Sequence, residues 1–434
     1  SDPVVFKIRL LKWCAHFSNS CILDSNNGID SKKELIAAVG AVSIITPHTK
    51  SFDELKRFHT AKKDWLFGHF SYDLKNESEK LSSGNFDGVG FPQMQFFQPE
   101  YVFILCDKTL KIEFLPEFSC REKAEAVFQN ILNTEYKIAD IVSPLYVRNR
   151  IARSEYIQTA NKIKTHIHRG DVYEMNYCME FYADEAKIDP SDVFLKLNKT
   201  SLSPFSAFYR SDDTYLLCAS PERFLKKSGN KIISQPIKGT AKRGKDKSED
   251  REIMKFLAQN EKEKSENVMI VDLVRNDLSR TCTNVTVDEL FGVHTFKQWH
   301  HMISTISGEM RRDIHFTDVM RTSFPMGSMT GAPKVRAMEL IEQYEKIKRG
   351  LYAGAVGYVT PEGDFDLNVV IRSILYNQHT HYLSFQVGSA ITANSIPENE
   401  YEECLLKAKG MFEALDISEK PSSFNSYSLS GTVE

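Results

Sequence analysis

The run F-S-A-F-Y-R-S-D-D-T-Y-L-L-C-A-S-P-E-R-F-L-K-K-S-G-N-K-I-I-S-Q-P-I-K-G-T, residues 205–240, decides the fold. Three short apolar segments (205–209, 215–219 and 231–234) follow one another with turn residues between them and no helical stretch. Gly229-Asn230 is a hairpin-turn dipeptide. Along the rest of the chain strands and helices are interspersed without a regular βαβ rhythm. The expected class is therefore α+β, a large two-sheet β-sandwich-like core with flanking helices, rather than a doubly wound parallel sheet.

The same hairpin carries an acid and an amine. A three-residue loop, 229–231, sets Glu222 opposite Lys238 on one face; a two-residue loop sets them on opposite faces. Side by side they form a general acid and a nucleophile; apart, Lys238 is an ordinary surface lysine. To attack, the amine must lose its proton, which calls for a pKa lowered by burial or by a nearby cation.

Working outward, Asp246 and Glu249 have the spacing of a capping box. The helix they open leads to Glu263 and Glu266, at i and i+3, and then to the apolar run 268–274. Helix and strand are both open for so short a run, and continuity with the capped helix favours helix. A helix apolar nearly all round is buried, so Asp272, Arg275, Asn276 and Asp277 need partners there. A terminal helix from about 397 to 415 buries Tyr401, Cys404, Leu405, Ala408, Met411, Phe412 and Leu415. Its Glu400, Glu403 and Lys407 line up on another face. That face is either a solvated charged surface or a carboxylate pair aimed at a hard cation, with the lysine holding an anion. Magnesium takes oxygen ligands and keeps several waters. One carboxylate from each helix plus a substrate carboxylate meets that demand.

Gly327 to Lys334 (G-S-M-T-G-A-P-K) leads into a helix at Val335, and its amides suit an anion. Pro333 excludes a P-loop. Arg372, in an apolar run with Tyr352 upstream, suits a carboxylate held bidentately. His301, beside Trp299 and His300, is either a core histidine or a catalyst. The first 145 residues are strand-rich (42–45, 65–72, 96–105) and carry no chemistry motif. The expected organisation is an N-terminal subdomain (1–145) intertwined with a catalytic domain (146–417), then a serine-rich flexible tail (418–434).

With 55 basic against 58 acidic residues, the net charge of −3 gives no footprint for nucleic acid or an anionic membrane. No apolar run approaches the roughly 20 residues that cross a bilayer. None of the eight cysteines forms a C-x-x-C pair. The expectation is a soluble, cytoplasmic protein with free thiols.

Seven collinear segments resemble the chorismate-utilising enzymes, namely the anthranilate, aminodeoxychorismate, isochorismate and salicylate synthases. They are S-P-E-R-F at 220, P-I-K-G-T at 236, E-N-V-M-I-V-D-L-V-R-N-D at 266, H-M-I-S-T at 301, G-S-M-T-G-A-P-K-V-R-A-M-E at 327, G-L-Y-A-G-A-V-G at 350 and P-E-N-E-Y-E-E at 397. With the elements leading into them they span about 146 to 414. The resemblance implies Mg²⁺ held by Glu266 and Glu403, with Glu263 and Glu400 close by through water. It implies chorismate carboxylates held by the metal, Tyr352, Arg372, Lys407 and amides around Gly388. Thr240 and Ser328 then lie against the substrate, His301 stands among the catalytic groups, and Glu222 protonates the departing C4 hydroxyl.

Lysine in P-I-K-G-T resembles the aminodeoxychorismate synthase branch; anthranilate and isochorismate enzymes resemble P-[IL]-A-G-T. S-P-F-S-A-F at 203 resembles the same branch. What this implies is attack of Lys238 on C2 as the C4 hydroxyl leaves, then attack of ammonia on C4 with expulsion of the lysine. The product, 4-amino-4-deoxychorismate, leads to 4-aminobenzoate and folate. Glu174 stands where water-using relatives carry a lysine base and most aminating ones a glutamine; an acid there argues against water as nucleophile. Gly388-Ser389-Ala390 replaces a more glycine-rich G-A-G, so the Cβ of Ala390 is expected either to crowd the carboxylate site or to shift which amide is used. The cysteines lack a G-x-C-x-G-like elbow, so ammonia comes from solution or, as the family implies, from a glutamine amidotransferase subunit. The alternatives are an anthranilate synthase component I, aminating C2, and a non-catalytic binder of chorismate or tryptophan. Tryptophan is also a candidate ligand of the N-terminal part.

Overall fold

Strand formation along the chain follows the apolar segments, and the segments sort into two layers. The computed structural model describes residues 2–26, 28, 33–107, 109–137, 145–297 and 299–417; the expected tail lies outside them. Among the described residues two antiparallel sheets, of eleven and ten strands, carry the chain, as the strand succession predicts. The larger sheet sets Glu174–Ala183, Tyr382–Ile391, Ser373–Asn377, Thr214–Ser220, Phe205–Ser211 and Asn19–Asp24 side by side. The smaller runs from Ile237–Lys242 through Trp299–Met310, Lys231–Gln235, Arg223–Ser228, Phe365–Asn368 and Ala355–Val359 to Leu66–Phe70. Each sheet takes strands from both sides of residue 145.

The core lies between the sheets. Thr214–Ser220 is buried at every position, so its sequence reads as a continuous apolar run rather than an alternation. Polar side chains that cross the gap find partners there: His69 bonds the Tyr209 hydroxyl at 3.0 Å, the Asn368 Nδ2 donates to the Phe205 carbonyl at 3.0 Å, and Gln95 donates to Asn19 at 3.0 Å and accepts from Ser211 at 2.9 Å.

Two apolar stretches, the expected strand 96–105 and the run around Arg372, are each split between the sheets. Within 96–105 the chain leaves Met94–Gln98 and enters Tyr101–Cys106 in the other layer; Pro99, with no N–H to give a ladder, sits at the crossing. Within 367–376 the break falls at Arg372, whose φ of 53° turns the backbone out of the extended region. Two helices flank the smaller sheet where one was continuous in expectation. Lys247–Gln259 ends at Asn260, which caps a new helix, Glu261–Ser279, by accepting from the Lys262 and Glu263 amides. Asp246 caps the first helix as expected, but Glu249 reaches the Lys245 amide rather than that of Asp246, so the reciprocal box does not close.

The second of these helices is amphipathic, not buried all round. Glu266, Asn267, Ile270, Val271, Asp277 and Leu278 face inward. Val268 is 40% exposed, and Asp272 pairs with Arg275 at the surface, 3.0 Å apart. Of the polar run only Asp277 needs a buried partner, and Lys334 supplies it at 2.6 Å.

Candidate active site

The hairpin that bears Glu222 and Lys238 closes with a two-residue turn: Ser228 pairs with Lys231 across Gly229-Asn230. That turn alone would have sent the two side chains to opposite faces. A bulge between Arg223 and Lys226 then shifts the register by one, so Arg223 lies opposite Gln235. The shift restores common parity to 222 and 238. A second irregularity, between Ile237 and Thr240, is where Gly239 takes a φ of 93°, a conformation that suits glycine.

Both side chains line one cleft of about 1650 Å³, open to solvent. The thirteen residues expected to act on substrate or metal stand on its wall: Glu222, Lys238, Thr240, Glu263, Glu266, His301, Ser328, Tyr352, Arg372, Gly388, Glu400, Glu403 and Lys407; Glu174 lies behind it, reached through Lys238. A Cβ at Gly388 would lie 2.5 Å from the Cys178 sulfur, so glycine is required by close strand approach. Ala390 lines the same wall. The turn at 327–329 spends the Met329 and Thr330 amides on its own carbonyls, and Gly331–Ala332 joins the sheet edge. The Met329 and Thr330 amides are therefore not free for an anion, while Ser328 itself faces the cleft.

Lys238 is buried, with Nζ 2.5 Å from Glu174 Oε1 and 3.7 Å from Glu266 Oε2. Burial alone would lower its pKa, but the Glu174, Glu266 and Glu222 carboxylates outweigh that and raise it. The expected depressed lysine is thus corrected: in this arrangement the amine is an ammonium held by carboxylates. Burial pushes Glu222 up to about 7, against a Ser328 hydrogen bond and the charge of Lys238. Burial likewise takes Glu266 to about 7, against Lys238. His301 goes the other way, to about 3, through burial and then Arg372, and its Nδ1 bonds the Thr240 hydroxyl at 2.9 Å. It is neutral near pH 7. Burial lowers the Arg372 pKa and raises that of Tyr352.

Glu263 and Glu266 come from one helix, Glu400 and Glu403 from Pro397–Ala414. Lys262 Nζ sits 3.4 Å from Glu400 Oε1 and 3.9 Å from Glu266 Oε1, so carboxylates of the two helices already converge on one cation. Among the described residues Glu266 Oε1 and Glu400 Oε2 are buried without a hydrogen-bond partner, a cost that a bound cation removes. Among the described residues no three acidic, histidine or cysteine side chains meet at one point. An all-oxygen pair supplemented by water and an anionic ligand still suits a hard divalent ion. Glu403, accessible from the cleft, has a lowered pKa because the Lys407 ammonium at 2.6 Å outweighs burial; Lys407 also donates to the Gly388 carbonyl at 2.8 Å.

A family model described as chorismate binding enzyme matches residues 16–413. The chain belongs to that family. It is 34% identical over 373 residues to an anthranilate synthase component I-like protein of Synechocystis, covering 85% of this chain and 75% of that one. It is 38% identical over 271 residues to aminodeoxychorismate synthase component 1 of Salmonella typhimurium, covering 62% and 59%. The crystal structure of anthranilate synthase component I from Streptococcus pneumoniae superposes with a TM-score of 0.76 at 27% identity, over 89% of this chain and 93% of that one. As a member of the chorismate binding enzymes, the chain has the two-sheet fold of those proteins. Among the described residues no helix is long and apolar enough to cross a membrane.

Cleft residues that the sequence did not single out are Asn176, Lys262, Trp299, Gln386, Asn399 and Glu402. Lys262 had a signal, four residues before Glu266 on one helix face. Asn176 and Gln386 had none, since they lie on strands buried on both faces.

Proposed function

We propose that the chain aminates chorismate at C4, giving 4-amino-4-deoxychorismate, with Mg²⁺ bound and with ammonia from a glutamine amidotransferase subunit. This is the step toward 4-aminobenzoate and folate, and it makes the enzyme a cytoplasmic transferase. The observation that carries the reading is Lys238 beside Glu222 in one cleft walled by two carboxylate-bearing helices. When bound to Glu266 and Glu403, with Glu263 and Glu400 near, magnesium supplies positive charge against the substrate carboxylate. Tyr352, Arg372 and Lys407 hold the remaining anionic groups.

Glu222, kept protonated by burial near neutral pH, donates its proton to the C4 hydroxyl, which departs as water. Lys238 forms the bond to C2 as both conjugated ring double bonds shift one position toward C4 and the C4–O bond breaks. Its proton must go first, and Glu174 Oε1 at 2.5 Å is the nearest acceptor. Ammonia then bonds to C4, both double bonds shift back and the C2–N bond breaks, with one proton of the incoming nitrogen passing to the departing one, returning the amine. Water could not exploit the same geometry, because Glu174 is engaged by Lys238.

Amination at C2 is the second reading. It is favoured by the wider coverage of the relative named as anthranilate synthase component I-like, and it makes Lys238 a bystander. Incubation with chorismate, MgCl₂ and ammonium chloride, followed by a 4-amino lyase, separates the two: 4-aminobenzoate is expected, and fluorescent anthranilate as sole product reverses the assignment. Lys238→Ala is expected to lose or redirect amination with magnesium binding kept. An unchanged 4-amino product in that variant defeats the nucleophile role.

A further inference from the structure

Three lysines stand among the carboxylates that face the cleft, and they differ in what else holds them. The Lys238 side chain is 9% exposed and pinned by Glu174 at 2.5 Å, besides its contact with Glu266. That of Lys407 is 29% exposed, lies 2.6 Å from Glu403 and donates to the Gly388 carbonyl at 2.8 Å. That of Lys262 is 45% exposed, and its ion-pair partners among the described residues are Glu400 at 3.4 Å and Glu266 at 3.9 Å. Lys262 lies in the first turn of Glu261–Ser279, where the helix dipole disfavours a cation. The carboxylates, not its own helix, keep its ammonium at the cleft wall, and of the three lysines it has the freest way out to water. Glu266 Oε2 faces Lys238 and Oε1 faces Lys262. A magnesium ion binds about 2 Å from its ligating oxygen with waters about 2 Å beyond, so ion and shell reach about 4 Å. On Glu266 Oε1 that reach takes in the Lys262 ammonium, and two cations so close repel.

We propose that Lys262 is a built-in competitor for the metal: its ammonium bridges Glu266 and Glu400 until magnesium arrives, and swings out to solvent as the ion binds. The inference rests on the reading of Glu266 as a magnesium ligand and is independent of which carbon is aminated. The bridge does two things. It joins carboxylates of two helices that otherwise repel each other, which keeps the cleft wall together. It also sets a threshold for the metal, because each ion must displace an ammonium. A singly charged ion gains little by that exchange, whereas a divalent one puts more charge on the same oxygens.

The test reads binding without turnover. Mg²⁺ is titrated calorimetrically into EDTA-treated wild type, Lys262→Met and Glu266→Gln, with unfolding midpoints recorded in EDTA and in MgCl₂. Lys262→Met is expected to lower the Kd for Mg²⁺ about threefold or more, the scale of a part-exposed ion pair, and to lose stability in EDTA that MgCl₂ restores. An unchanged or raised Kd in Lys262→Met, with binding impaired in Glu266→Gln, overturns the competitor and leaves the metal at Glu266. Binding absent from wild type, or unchanged in Glu266→Gln, removes the metal reading and the inference with it. A second measurement needs no variant: amine labelling of wild type by an N-hydroxysuccinimide ester, followed by peptide mass spectrometry. Saturating MgCl₂ is expected to raise the labelling rate of Lys262 about threefold relative to Lys264, which pairs with Glu261 at 3.1 Å on the same helix. A rate that stays level or falls overturns the displacement.

Discussion

Glu222 and Lys238 illustrate how one buried pocket sets two opposite protonation states. Each loses hydration, which disfavours charge on both. Glu222 yields to that and stays neutral up to about pH 7; Lys238, with three carboxylates around it, does not. A general acid must be protonated to act, so the sign is fixed: the acid form is present below pH 7 and is lost as pH rises through that value. The kcat/KM for chorismate is expected to fall about tenfold per pH unit above roughly 7 to 7.5. Glu222→Gln is expected to lower kcat by about 10² to 10⁴-fold and to abolish that alkaline limb. A pH–rate profile of the variant that keeps the limb assigns it to another group and removes Glu222 from the role.

At the level of elements, the cleft depends on one ion pair that braces its wall from behind without lining it. Arg349 donates to Glu345 at 2.7 and 2.9 Å, to the Met329 carbonyl at 2.6 Å and to the Asn176 carbonyl at 3.0 Å. Glu345 in turn accepts from the Cys178 amide at 2.9 Å. The pair thereby ties the turn carrying Ser328 to the strand carrying Glu174 and Asn176. Arg349→Met leaves Glu345 buried and alone, which should cost about 3–5 kcal/mol; adding Glu345→Leu should recover much of it. Denaturant unfolding checks this, and a single variant within 1 kcal/mol of wild type contradicts it. Neither residue was visible as a site element in the sequence, since a buried Arg–Glu pair at i, i+4 reads as an ordinary surface pair. Elements with a period were legible: the stripe of Pro397–Ala414 and the strands of 205–240 follow local pattern. What failed was set by pairing: the bulge at Arg223–Lys226 and the crossings at Pro99 and Arg372 depend on neighbours distant in sequence.

Across the whole molecule the buried titratable groups form two opposed sets. His69 is held at about 4 and His301 at about 3, burial being the main cause in each. A depressed histidine contributes stability above its unfolded value of 6.5, and that stability is lost as pH falls. Glu222 and Glu266, raised from 4.5 to about 7, do the reverse: their contribution is present below 4.5 and is lost as pH rises through 7. Between pH 5 and 7 each group changes the balance by about 2 kcal/mol, two in each direction, so these four nearly cancel. Protonation of Glu222 and Glu266 therefore changes over a range in which these four groups together contribute little net change in stability. Magnesium held at Glu266 as proposed would break the symmetry, because it would bind the folded state and only where Glu266 has shed its proton. Denaturant titrations with and without MgCl₂ are expected to show little metal stabilisation at pH 5.5 and a clear increment at pH 7.5. An increment as large at pH 5.5 as at pH 7.5 would place the ion away from the raised carboxylates.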